Sequence, residues 1–131
     1  DTFEETRGTR RHEAIDIVAP RGTPVIAAAA GTIQKIWESV PGGHTVYVLS
    51  SDGRLRYYYA HLERYREGLV EGERVRAGDV IGYVGDSGNA VTGNTHLHFS
   101  VAVVNDDPHR WSGGTPVDPL PYLLGRKRLP L

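Results

Sequence analysis

The 131-residue chain contains no cysteine and no methionine. Without cysteine there is no disulfide, no thiol nucleophile and no thiolate ligand, so any metal must be held by imidazole and carboxylate groups. That donor set suits zinc among other ions. Without methionine there is no initiator, and the chain reads as a processed or excised domain. Long apolar runs are also missing, and nothing approaches the length needed to span a membrane as a helix. Excess charge is absent as well. With 15 Lys and Arg against 16 Asp and Glu, the net charge of −1 provides no bulk attraction for nucleic acid or an anionic membrane. The one basic cluster, Arg126-Lys127-Arg128, belongs to a tail between Gly125 and Pro130 and reads as a solvated end.

What is plentiful is glycine, with 16 residues spaced along the chain and short β-branched or aromatic runs between them. This punctuation predicts an all-β domain, one unit large enough to bury a core without staples. Strands are expected at 15–18, 25–28, 31–38, 45–50, 54–61, 80–84 and 96–103. Ser51-Asp52-Gly53 is a hairpin signal between the fourth and fifth. Residues 62–69, with charges between Leu62, Tyr65 and Leu69, predict a turn or two of helix, and 121–124 one more. Short strands with so little helix favour a sandwich or barrel-like arrangement over βαβ units.

Chemistry concentrates in the histidines. Four of the six lie in three short motifs: His12-Glu13-Ala14-Ile15-Asp16, Tyr59-Ala60-His61-Leu62 and His96-Leu97-His98-Phe99. His96 and His98 are two apart on an alternating run, so a strand puts both imidazoles on one face, with Leu97 and Phe99 facing the core. Such a pair can serve one site, although taken alone it is as readily a surface feature. His12 and Asp16 are four apart. Ile15, Ile17 and Pro20 favour a strand there over the helix of a His-Glu-x-x-His site, and a straight strand would separate the two by roughly 13 Å. If they share an ion, His12 must precede the strand on a bend. Alternation along 57–61 puts His61 on the face of Tyr57 and Tyr59, opposite Tyr58 and Ala60. His44 and His109 lie in loop-like sequence and read as surface residues without partners.

The three motifs, in this order, are framed by Gly22-Thr23-Pro24-Val25, Ala30-Gly31-Thr32-Ile33 and Gly78-Asp79-Val80-Ile81-Gly82-Tyr83-Val84-Gly85. Over about residues 10–104 the chain resembles the M23 peptidases, the lysostaphin and LytM-type peptidoglycan endopeptidases. The resemblance implies an all-β fold of antiparallel sheets, of the duplicated hybrid motif type, with long loops bordering a groove. It also implies one zinc per chain held by His12, Asp16 and His98, with His61 and His96 as unligated catalytic histidines. Three protein ligands would leave a fourth position open for water, as catalytic zinc requires. The implied substrate is the stem peptides or cross-bridges of peptidoglycan, the implied location periplasmic, cell-envelope or secreted, and the expected state a monomer.

There are departures from the family pattern. Ala14 replaces a usual glycine, and Ser100 stands where an acidic residue is frequent. Only Phe3 is aromatic where some relatives carry a tyrosine that assists the oxyanion, so that role is not carried over. Tyr57, Tyr59, Asn89 and Asn94 are candidate groove residues. A second class, a wall-binding module that regulates other hydrolases, is implied by relatives that have lost zinc ligands; the intact set here favours an enzyme. A lipoyl- or biotinyl-like carrier would need a lysine on a tight hairpin. Lys35 and Lys127 are the only lysines, and neither is in one.

Overall fold

A computed structural model describes residues 14–88, 93–104 and 114–119. His12, Asn89, His109, residues 121–124 and the cluster at 126–128 lie outside the described residues. Those described form nine strands: β1 (Ile15–Val18), β2 (Pro24–Ile26), β3 (Gly31–Ser39), β4 (Gly43–Ser50), β5 (Leu55–Tyr65), β6 (Arg74–Val75), β7 (Val80–Val84), β8 (His96–Val103) and β9 (Thr115–Val117). The pairings are antiparallel, and the main path runs β1-β8-β5-β4-β3-β6. β9 pairs the outer half of β8, and β2 pairs β7, which in turn pairs the end of β5. There is no helix among the described residues, in line with the all-β expectation.

Alternation explains which side chains turn inward. Ile33, Val46, Val48, Tyr59, Phe99 and Val101 are essentially inaccessible and pack on one face of the main path. Leu62, Ile81 and Val84 close the core from the β5–β7 side. Full burial of a side chain the size of Phe99 contributes roughly 1.5–3 kcal/mol. Its ring lies 5.2 Å from that of Tyr59 and 6.3 Å from that of Tyr57, so β8 is anchored through its apolar face. Tyr59 also uses its polar tip, accepting a 2.9 Å hydrogen bond from the Ala28 backbone N–H. The hairpin at 51–53 forms as the sequence predicts: the Gly53 N–H donates to the Ser50 carbonyl at 2.9 Å, with Gly53 at φ +77°.

Two expectations are corrected. Residues 62–65 are strand, not helix, because Leu62, Arg64 and Tyr65 pair with Val84, Tyr83 and Gly82 of β7. The three- and four-residue apolar spacing imitated a helix, and sheet pairing overrode it. His44 is likewise no loop residue. It lies in β4 opposite Leu62, with its Nδ1 3.0 Å from Glu38 Oε2 and its ring edge-on to Tyr65 at 5.4 Å. That contact is not a hydrogen bond, and the buried Nδ1 makes none to the described residues.

Candidate metal and catalytic site

The face of the sheet away from the core gathers the histidines. On β8, period-two alternation buries Leu97 and Phe99 and turns His96 and His98 to the opposite face, as expected from the sequence. The β1 register sets Asp16 directly across from His98 and Val18 across from His96. Paired residues share a face, so the Asp16 carboxylate reaches over its neighbour: Oδ1 is 3.0 Å from His98 Nδ1 and 3.9 Å from His96 Nε2.

His61 arrives at the same face by a different device. Between Tyr59 and Leu62, β5 spends one residue more than β4 does between Val46 and His44, which makes a β-bulge. His61 takes up the irregularity at φ +63°, the one left-handed non-glycine residue among those described. The bulge breaks the alternation. His61 therefore leaves the face of Tyr57 and Tyr59, to which simple alternation assigned it, and brings its ring 5.0 Å from His96 and 5.8 Å from His98. Tyr57 and Tyr59 are core residues, so neither lines the site. Tyr58 does: its ring is edge-on to His98 at 6.0 Å and packs on Tyr47 at 4.7 Å. Burial first, then Tyr47, pushes the Tyr58 hydroxyl up to about 12, so it stays protonated at any ordinary pH. The signal for Tyr58 was present in the run Tyr57-Tyr58-Tyr59, but its sense depended on a bulge that the letters do not mark.

Backbone carbonyls orient both remaining imidazoles. His61 Nδ1 is 2.6 Å from the Ser87 carbonyl, and His96 Nδ1 is 2.9 Å from that of Asn94. A carbonyl only accepts, so Nδ1 carries the hydrogen in each ring, and each neutral Nε2 offers a lone pair. Asn94 thus contributes through its backbone. Burial, aided by His96 and His98, holds His61 below the ordinary histidine value of 6.5, outweighing the Ser87 hydrogen bond and Asp16.

The supporting loops are braced by charge. Arg21 binds Glu63 through one guanidinium nitrogen and Asp86 through the other at 3.0 Å, and Asp86 also accepts from the Gly93 N–H at 2.7 Å. Arg21 and Glu63 are exposed and Asp86 half-buried, so the value of these pairs lies more in fixing the loop's position than in stability.

The donors fit zinc. Two ligand atoms on one tetrahedral zinc at about 2.1 Å stand roughly 3.4 Å apart. Asp16 Oδ1 and His98 Nδ1 at 3.0 Å are close to that edge, on a face open to solvent. Among the described residues no group of three His, Cys, Asp or Glu side chains is placed to hold a metal ion. The third ligand expected from the sequence, His12, lies outside them, while β1 begins at Ile15 and holds Asp16 on its second residue.

Comparison with known proteins bears on this arrangement. A family model described as Peptidase family M23 matches residues 10–119. The glycyl-glycine endopeptidase ALE-1 of Staphylococcus capitis is 33% identical over 113 residues, covering 86% of this chain and 29% of that protein. The DD-carboxypeptidase/endopeptidase Mpg of Neisseria meningitidis is 36% identical over 115 residues, 88% of this chain and 23% of that protein. The chain thus spans less than a third of either relative. Among solved structures, the catalytic domain of the antimicrobial peptidase lysostaphin from Staphylococcus simulans superposes with a TM-score of 0.72 at 32% identity, covering 87% of this chain and 80% of that one.

Proposed function

The chain belongs to peptidase family M23, which depends on zinc in general, and from that premise we propose that it is a zinc-dependent endopeptidase acting on peptide cross-links of bacterial peptidoglycan. The observation that carries this reading is the Asp16–His98 donor pair, 3.0 Å apart, beside two imidazoles whose Nδ1 atoms are each committed to a backbone carbonyl. In this reading His12, Asp16 and His98 hold one zinc per chain, and His61 and His96 remain free. Residues 1–131 act as one peptidase domain.

When bound, zinc supplies Lewis acidity toward the scissile carbonyl and lowers the pKa of a bound water. The protein's own contribution follows from its hydrogen bonds. With Nδ1–H donated to a carbonyl, neutral His61 and neutral His96 both present acceptors at Nε2. Neither can donate to a developing oxyanion until it has taken a proton. The ring that accepts the water's proton is therefore the ring that next offers N–H to the oxyanion or the leaving amine. His96 is assigned the first proton, because its place on β8 fixes it two residues from His98, a zinc ligand in this reading, on the same face of the sheet. His61 stands across the site at 5.0 Å between ring centres, with its pKa lowered and so neutral, as a second acceptor.

Relatives named as a glycyl-glycine endopeptidase, a DD-carboxypeptidase/endopeptidase and a peptidoglycan DD-endopeptidase support peptidoglycan as the substrate class. Peptidoglycan lies outside the cytoplasmic membrane, so the site of action is the periplasm, envelope or exterior. The test is digestion of defined muropeptides containing a glycine bridge, a D-alanyl–diaminopimelate link or only stem-peptide bonds, with products weighed. Zinc-loaded protein is expected to release a new amine and carboxylate from at least one, and a chelator to prevent it. Binding without cleavage of any of them would instead mark a regulatory wall-binding module.

A further inference from the structure

His61 adopts a backbone conformation that an L-residue does not favour, so the surroundings must hold it there. Its two local hydrogen bonds go to two different segments: the backbone N–H donates to the Gly42 carbonyl at 2.8 Å, and Nδ1–H donates to the Ser87 carbonyl at 2.6 Å. Those segments are pressed together. A Cβ on Gly43 would fall 2.2 Å from Ser87 Oγ, and a Cβ on Gly88 would fall 2.3 Å from the Gly43 nitrogen. Only glycine at both positions allows so close an approach. The Ser87 hydroxyl uses both its capacities in this junction. It donates to the Leu62 carbonyl at 2.6 Å and accepts from the His44 N–H at 3.1 Å.

We propose that Ser87 is the positioning residue for His61: its carbonyl fixes the imidazole tautomer while its hydroxyl, tied to Leu62 and His44 across the Gly43–Gly88 contact, fixes the carbonyl. One residue thereby holds two consecutive residues of the bulge, His61 by its ring and Leu62 by its backbone. Ser87 does not touch the reacting atoms; it acts through His61. The catalytic part of the claim rests on the endopeptidase reading above, and the structural part does not.

Two measurements test it. In zinc-loaded wild type, long-range proton–nitrogen correlation spectra of His61 are expected to show the hydrogen on Nδ1 and a bare Nε2. A hydrogen on Nε2 would overturn the proposal whatever any variant does. In Ser87→Ala that signature is expected to weaken or mix with the other tautomer. Its kcat is expected to fall by roughly tenfold at an unchanged KM, less than the ~10²–10⁴ commonly contributed by a general acid–base group. Ser50→Ala is the matched control, because the Ser50 hydroxyl also donates and accepts, to Asp52 and from the Leu55 N–H, at the remote hairpin. It is expected to leave kcat and the His61 signals alone. Wild-type kcat and His61 signals in Ser87→Ala, or a loss carried only by KM, would contradict the proposal. Should Ser87→Ala not fold, the wild-type tautomer decides. If wild type cleaves no muropeptide, the endopeptidase reading fails, while the ring-nitrogen measurement still decides the clamp.

Discussion

At the scale of single side chains, His61 and His96 owe their orientation and tautomer to what their Nδ1 atoms bind. A ring tied to a carbonyl through Nδ1 is a base at Nε2, and His61 and His96 are both tied in this way. Burial and the neighbouring rings hold His61 below 6.5, and a bound zinc cation would push it in the same direction. In the proposed role His61 acts as an acceptor in its neutral form, so activity attributable to it is retained above its pKa and lost as pH falls through it. The acid limb of kcat/KM assigned to His61, by comparing wild type with His61→Ala, is therefore expected to have its midpoint below 6.5. A midpoint above 6.5 in the pH–rate profile would contradict that assignment.

At the scale of the strand, β5 decides the site. Its first half follows the alternation that the sequence displays, burying Tyr57 and Tyr59 and leaving Tyr58 on the open face. Its second half follows a different rule, because the bulge at His61 shifts the register and lets Leu62 turn into the β7 pairing. β1, β7 and β8 were legible to the residue: β8 alternates polar and apolar residues from His96 to Val101, while β1 and β7 are short runs rich in β-branched residues bounded by proline or glycine turns. β6 and β9, of two and three residues, are too short to carry a pattern. The bulge left no mark in the letters, and with it went the face of His61 and the choice of Tyr58 over its neighbours. His61→Gly and His61→Ala both remove the imidazole, but only alanine keeps the strain of φ +63°. The glycine variant is expected to be the more stable in denaturant unfolding by about 1 kcal/mol. Equal stability, or a more stable alanine variant, would mean that the backbone at His61 is unstrained.

At the scale of the whole molecule, the site is a meeting of distant segments on one sheet. β1 supplies Asp16, β8 supplies His96 and His98, the bulge of β5 supplies His61, and the loop after β7 supplies the carbonyl of Ser87. The sheet order β1-β8-β5 is what makes residues far apart in the chain adjacent, and the Arg21–Glu63–Asp86 bridge ties the intervening loops together. That Asp16, His61, His96 and His98 would gather at one site was suggested by the sequence, because four of the six histidines fall in three short motifs. Their division of labour was suggested by resemblance, and the geometry adds a physical basis: His98 shares its open side with a carboxylate oxygen, whereas His61 and His96 are each held by a carbonyl. The division into three ligands and two catalysts is tested most directly by the zinc content per chain of wild type and of five alanine variants after dialysis against metal-free buffer. Wild type, His61→Ala and His96→Ala are expected to retain close to one zinc, the last two without activity, while His12→Ala, Asp16→Ala and His98→Ala lose it. Retention of zinc by His98→Ala, or its loss from His96→Ala, would contradict the account.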